Sequence, residues 1–409
     1  MWTLAVKNIF RNRRRTVLSG IAILVAALII CLMLAFETGM IDDMRENVIN
    51  HVIGDYRVRI KEYSENERVS PLQFYLEDVT QVMKALESVE GVEKAVPLTT
   101  IGISIWQGDN SNEAVMIGTD LKKSNFFNDK KSEILEGELP KEGEKKVAIT
   151  ESLAKKLNLK IGDRFTFLTK TASGGSNALG VEVSAIVYLQ DSDISDSTVF
   201  IPYDVLSKTL RMKDGAIQIQ VFSSGNNIEM KEKALLNSIS TFKGNFEIKH
   251  WSKISSIYFL LKMAEIIYLY IGIIFFLLAS TVIINTTMMS VLERKREMAT
   301  LIALGYSKKW VRRLFLLESG IIAGVFSTLG TLLGVVLVRI FGVIGVDMNA
   351  LGGGAISGMS LSQWIYPSID LTSCLLIIVL GITVSVGTCL FPTKKILRLE
   401  PAEALHDDI

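Results

Sequence analysis

Four long apolar runs set the limits on what this chain can become: Thr16–Phe36, Ile266–Leu292, Leu314–Val338 and Leu371–Phe391. A helix needs about 20 residues to cross the hydrocarbon core of a bilayer, and each run reaches that length. Between the first and second lies a polar, mixed-charge segment of domain size, whereas the last three runs follow one another closely. Charged residues make up 21% of the chain, and they crowd into residues 40–262 rather than spreading evenly. The pattern predicts an integral membrane α-helical protein with four transmembrane helices and a large α+β extracytoplasmic domain between the first two. It is not the layout of a soluble enzyme.

The positive charges supply an orientation. Lys7, Arg11 and Arg13–Arg15 precede the first run. Arg294, Lys295, Arg296, Lys308, Lys309, Arg312 and Arg313 separate the second from the third, and Lys394, Lys395 and Arg398 follow the fourth. The connection 343–368 contains neither Lys nor Arg. Short loops rich in Lys and Arg stay in the cytoplasm, so both termini are expected inside the cell. The expected partition is a cytoplasmic amphipathic helix (1–15), a first span (16–38), the extracytoplasmic α+β domain (39–262) and a second span (263–292), continuous with a stalk from about residue 251. A cytoplasmic helix and loop (293–313), a third span (314–342), an external loop (343–368), a fourth span (369–392) and a cytoplasmic tail (393–409) complete it. The first run could instead be a secretory signal, but such signals carry an apolar stretch of only about 7–15 residues. Cys31 could mark a lipidated cysteine, yet Leu28, Ile29 and Ile30 lack the small residues of a processing site. An uncleaved anchor fits best.

Other classes are excluded or weakened by composition. A net charge of +1 gives no electrostatic footprint for nucleic acid. Cys31, Cys374 and Cys389 all lie in apolar runs, so no disulfide is expected to support the external domain. His51, His250 and His406 are far apart and read as surface or boundary residues rather than metal ligands. Asp191, Asp193 and Asp196 crowd one loop, but the mid-loop Gly and distal Glu of a calcium hand are missing, so a solvated acidic loop is expected.

Residues 1–15 place Trp2, Ala5 or Val6, and Ile9 with Phe10 at helical spacing against a basic side, the pattern of a helix lying in the headgroup layer or of a basic flank that fixes topology. In the external segment, Asp55–Lys61, Val92–Pro97, Ile101–Trp106, Glu113–Thr119, Arg164–Thr169, Val181–Leu189, Val199–Pro202, Ala216–Phe222 and Phe246–Lys249 read as strands. Asp78–Val89, Ser152–Leu159, Tyr203–Arg211 and Glu229–Ser240 read as helices. Thr171–Gly180, rich in Gly, Ser and Asn, reads as a long hairpin loop. Trp251–Glu265 runs into the second span without a break. In the third run Gly320 and Gly324, and again Gly330 and Gly334, stand four apart, a spacing that lets helices approach closely in lipid. Glu318 is a carboxylate inside an apolar run; it is either functional or a paired residue near the basic edge.

Catalytic and nucleotide motifs are missing. No GxxxxGK[ST] loop is present, so this chain is not an ATP-hydrolysing subunit. Leu351–Ala355 (LGGGA) lies in a loop between spans and reads as a turn. The densest pattern is Asn285–Gly305, NTTMMSVLERKREMATLIALG. After its charges, Met298, Leu301 and Leu304 recur at three-residue spacing, with Ala299 and Ala303 as a small face beside them. This predicts a short cytoplasmic amphipathic helix closed by Gly305, suited to lie on lipid or dock in a groove of a partner.

That segment resembles the corresponding one of the MacB/FtsX superfamily of ABC-transporter permeases. Asn285, Ser290, Val291, Glu293, Arg294, Arg296, Glu297, Leu301, Ala303, Leu304 and Gly305 match its pattern, while Met298, Ala299 and Ile302 depart from it. Leu314–Ser319 (LFLLES) and Pro401–Leu405 (PAEAL) also fit, and His406 stands where Arg is common. The resemblance implies a non-catalytic permease of the inner membrane working by mechanotransmission. Its implied partners are an ABC ATPase dimer, which binds ATP and Mg, a second permease copy or a paralogue, and membrane lipids, with no nucleic acid and no cofactor in this chain. It implies that Glu293, Arg294, Arg296, Glu297, Met298, Leu301, Ala303 and Gly305 form the ATPase-coupling site. Domain size and hairpin are most similar to the lipoprotein-releasing (Lol) permeases. That likeness implies extraction of lipoproteins to a periplasmic carrier, with Thr171, Ser173, Gly174, Gly175, Asn177 and Leu179 as the carrier-binding hairpin. Export of a peptide, toxin or other amphiphile, and signalling to a cell-wall hydrolase, are the alternatives.

Overall fold

The structure is a computed structural model that describes residues 1–11, 13–67, 71–107, 110–127, 132–189, 197–224, 227–348, 362 and 364–396. In chain order, α1 (Trp2–Arg11) and α2 (Arg13–Asn47) lead through a π-helical turn (Val48–Ile53) into β1 (Tyr56–Ile60), α3 (Lys61–Glu65) and α4 (Val79–Glu87). Then come β2 (Val92–Gln107), β3 (Asn110–Thr119), β4 (Ser132–Gly137), β5 (Lys146–Thr150), α5 (Glu151–Leu157), β6 (Arg164–Lys170) and β7 (Ser176–Leu189). After β8 (Thr198–Pro202), α6 (Tyr203–Thr209), β9 (Gln218–Ser223), α7 (Ile228–Ile239) and β10 (Phe246–His250), the chain turns helical. The remaining helices are α8 (Ser255–Glu293), α9 (Lys295–Ala303), α10 (Lys308–Ile344) and α11 (Leu371–Ile396), with the short pair β11 (Val346–Asp347) and β12 (Trp364–Ile365) before the last.

Two compact units result: one from 1–41, 264–346 and 365–409, the other from 42–263 and 347–364. The second unit is the α+β domain. Its sheet runs β10-β1-β9-β2-β3-β8-β5-β7-β4, with β6 bridging β2 and β7. Pairing is antiparallel except for β3 with β8 and β5 with β7. β6 and β7 alternate at period two, β7 with buried and part-buried residues from Val181 to Leu189, whereas β5, β8 and β9 are buried nearly throughout. Helices α4 and α7 place Val79, Val82, Leu86, Leu235 and Ile239 against Tyr56, Val58, Ile219 and Val221. A second core gathers Ile103, Ile105, Met116, Phe167, Val199 and Leu206.

Three helices among the described residues are long and apolar enough to cross a membrane: Thr16–Ile53, Lys308–Ile344 and Leu371–Lys394. The run Ile266–Leu292 lies inside the 39-residue helix α8. The glycine pairs of α10 divide in role. A side chain at Gly334 would meet Cys31 of α2 at 2.6–2.7 Å, and one at Gly330 would collide with the Leu24 carbonyl and Ala27. Gly320 and Gly324 face Val386 and Ile382 of α11 at 3.4 and 3.7 Å, ordinary contact distances. Only Gly330 and Gly334 are required by the close approach of α2 to α10. Gly20 of α2, which carried no sequence signal, lies equally tight on the Phe326 ring.

Several sequence expectations are corrected in detail. Val92–Pro97 and Ile101–Trp106 form one strand, because β2 changes partner without ending: it pairs with β9 as far as Leu98 and with β3 from there on. The Thr171–Gly180 loop is much shorter than its composition suggests, since Ser176–Gly180 pair with Lys170–Thr166 and leave only 171–175 as the turn. The stalk does not start at Trp251. Trp251–Lys253 is a 3₁₀ turn capped by the His250 ring, and Ile254 is extended (φ −87°, ψ 105°) so that its side chain can bury against Val48 and Ile53. At the other end α8 stops at Glu293, and Arg294 separates it from α9. Leu351–Ala355, Asp191, Asp193, Asp196, Pro401–Leu405 and His406 lie outside the described residues.

Candidate coupling site

The break at Arg294 is where the chemistry collects. Arg294 takes a non-helical conformation (φ −98°, ψ 15°), and its N–H tightens onto the Val291 carbonyl. The Met298 N–H reaches the Arg294 carbonyl at 3.1 Å, so the next helix starts from Arg294. The bend turns the Arg294 side chain inward, where it is buried. Its guanidinium donates to the buried Glu318 carboxylate of α10 and, through Nε at 2.6 Å, to Glu297 one turn on. It also lies over the Phe315 ring, 4.2 Å from the centroid, a placement that the planar, weakly hydrated guanidinium favours.

Burial alone would depress the Arg294 pKa, but the hydrogen bonds and charges of Glu318 and Glu297 outweigh it and hold the group above its ordinary value. The second oxygen of Glu318 accepts from Asn8 Nδ2 of α1 at 2.7 Å. Arg11 of α1 stands 3.9 Å from Glu297. A cavity of about 40 Å³ beside the pair, lined by Ser19, Thr287, Ser319 and Ser385, has room for water. One buried carboxylate therefore ties α1, the bend and α10 together. Of the two sequence readings of Glu318, the structure shows the paired one.

Helix α9 packs against the same region. Met298 is buried with Val291, Val311, Phe315 and Cys389, and Leu301 packs partly against them. Leu304 does not join this ridge; it is 71% exposed. Three-residue steps fall about 60° short of a turn each, so the third member has rotated off the face. Gly305 ends the helix with φ +92°, and the Tyr306 and Gly305 N–H groups bond the Leu301 and Ile302 carbonyls. This is a Schellman closure, which a left-handed glycine allows. Ser307 then caps α10 by accepting from the Trp310 N–H at 3.3 Å, and Tyr306 stacks on Trp310.

The residues expected at the ATPase surface thus divide. Arg294 and Met298 are internal, Glu297 and Leu301 are half-buried, and Glu293, Arg296, Ala303 and Gly305 are exposed. Thr300, Leu304 and Tyr306 extend the exposed set; from the sequence Leu304 reads as part of the apolar ridge, whereas Thr300 and Tyr306 carry no sequence signal. In the hairpin, Ser173, Gly174 and Gly175 are exposed, whereas Thr171 is buried and Leu179 packs on the domain core. The turn is tied down: the Ala172 N–H donates to the Leu210 carbonyl at 2.9 Å and Asn177 Nδ2 to that of Thr209 at 2.8 Å. Among the described residues no group of His, Cys, Asp and Glu side chains is arranged to hold a metal.

Comparison with known proteins fits this arrangement. Residues 16–237 match the MacB-like periplasmic core domain, and residues 269–401 match the FtsX-like permease C-terminal family. The chain belongs to the MacB/FtsX-type family of ABC-transporter permeases. In that family the permease is normally non-catalytic and works with an ABC ATPase as a separate subunit. No curated protein matches the chain. Among solved structures, the extracellular domain of the noncanonical ABC-type transporter YknZ from Gram-positive bacteria is 16% identical with a TM-score of 0.34, covering 47% of this chain and 98% of its own. The periplasmic region of MacB from Actinobacillus actinomycetemcomitans is 16% identical with a TM-score of 0.38, covering 54% and 97% respectively.

Proposed function

We propose that this permease is the membrane subunit of an ABC transporter that works by mechanotransmission, with four spans and both termini in the cytoplasm. A separate ATPase docks on the outward face of α9, at Arg296, Thr300, Ala303, Leu304 and Gly305. Its motion reaches α8 through the bend at Arg294, and α8 carries it to the α+β domain outside. The observation behind this reading is the Arg294–Glu318 pair, which anchors the bend to α10 and leaves one face of α9 open. Leu304→Asp is expected to weaken ATPase co-purification by roughly thirtyfold, the loss of an interface anchor worth about 2 kcal/mol. The exposed position should leave the permease folded. Unchanged ATPase recovery would place the docking face elsewhere.

The substrate reading we carry forward is release of lipoproteins from the outer leaflet of the inner membrane to a periplasmic carrier recruited by Ser173, Gly174 and Gly175. The docked turn favours a second use of the same machine, export of a peptide or other amphiphile, because a tip hydrogen-bonded to Thr209 and Leu210 does not project far from its domain. Removing Ser173–Gly175 and rejoining the strands by a two-residue turn separates the two. On the first reading lipoproteins accumulate in the inner membrane; normal release would leave the second.

A further inference from the structure

The N-terminal helix presents a surface that the coupling site does not use. On α1, Ala5 is buried and Asn8 reaches Glu318, so this side packs on α10. Four-residue steps put Trp2, Val6 and Phe10 on one outward stripe. Trp2 is 64% and Phe10 63% exposed, and Val6 is exposed too. Thr3 and Lys7 form the adjoining stripe and are also exposed, and Arg11 continues it while standing beside Glu297. The next helix enters the first candidate span at Thr16, and Arg13, Arg14 and Arg15 stand between. An apolar stripe edged by cations, a few residues from a span, complements an interface of acyl chains beneath anionic phosphates. A groove on a protein partner would not call for so many cations beside the apolar edge.

We propose that α1 binds the anionic lipid headgroups of the cytoplasmic leaflet and passes their presence to the coupling segment through Asn8. The path is short. Asn8 holds one Glu318 oxygen, Arg294 holds the other, and Arg294 fixes the bend from which α9 starts. Headgroups that seat α1 firmly therefore steady Glu318, the bend and α9. This rests on the reading of α9 as the coupling helix, and it adds a regulator, anionic lipid, to that site. The lipid measurements need no ATPase, so they can fail while the docking test on Leu304 succeeds, and the reverse.

The test uses the full-length permease in nanodiscs of phosphatidylcholine, with and without phosphatidylglycerol. Brominated acyl chains should quench the fluorescence that is lost in Trp2→Phe, identifying Trp2 as lipid-seated. Lys7→Gln should lower the apparent affinity for phosphatidylglycerol by about fivefold, the effect of removing one cation near an anionic surface. In the wild-type chain, phosphatidylglycerol should slow amide exchange across 295–303. Asn8→Ala should keep the Trp2 quenching but abolish that slowing, and Asn8→Gln, which retains the amide, should restore part of it. A Trp2 signal that bromolipid does not quench would overturn the lipid assignment and leave the stripe to a protein partner. Exchange at 295–303 that ignores phosphatidylglycerol, or responds equally in Asn8→Ala, would overturn the transmission.

Discussion

Truncating Arg294 to alanine is expected to destabilise the membrane unit by about 3–5 kcal/mol, since it leaves the Glu318 carboxylate buried without its cation. Glu318→Ala should do the same by stranding the guanidinium. The reason is solvation rather than the strength of the pair. Two charges taken out of water roughly break even when matched, and removing one leaves the other's desolvation uncompensated. Arg294→Lys should also fail in part, because an ammonium cannot serve Glu318, Glu297 and the Phe315 face at once. Replacing both charges, as Arg294→Met with Glu318→Leu, should recover most of the loss. Thermal unfolding in detergent, followed by size-exclusion profile, reads all four variants. If the two single truncations melt with the wild type, the pair is not the buried anchor described.

The second large effect is steric. Gly334→Leu is expected to cost about 1–3 kcal/mol or more by overpacking, because its Cβ would fall 2.6–2.7 Å from the Cys31 side chain. Gly330→Leu is expected to be worse, as backbone stands in the way and cannot rotate aside. Gly320→Ala and Gly324→Ala should be neutral to slightly stabilising, since alanine gains about 0.5–1 kcal/mol over glycine within a helix. Expression and melting of these four variants check the division. Equal damage from both pairs would mean that α11 approaches α10 as tightly as α2 does.

The layout of helices and strands could be read from the chain because it rests on local periodicity. Local pattern marked most strands of the sheet but missed β4 and β5, and the apolar runs fall within the long helices. Expectations failed where a distant residue decides the outcome. The family resemblance placed Arg294 and Met298 at the ATPase surface, yet a carboxylate 24 positions away draws Arg294 inward, and Met298 is buried in a cluster with Phe315. Glycine spacing could not distinguish the pair that meets α2 from the pair that meets α11. Composition made Ser176–Gly180 look like loop, although Thr166–Lys170 supply a full set of strand partners. Ile254 shows the same thing at short range: helix propensity would continue the chain from Trp251, but the pocket between Val48 and Ile53 draws the side chain out of helical register.

On the proposed function, the bend at Arg294 transmits force between ATPase and permease rather than merely holding the fold. The apolar double variant Arg294→Met, Glu318→Leu separates these roles, because it should remain folded while the charged joint is gone. In proteoliposomes containing permease and ATPase, near-normal ATP turnover is expected with substrate release reduced to background. Normal turnover together with normal release would contradict it.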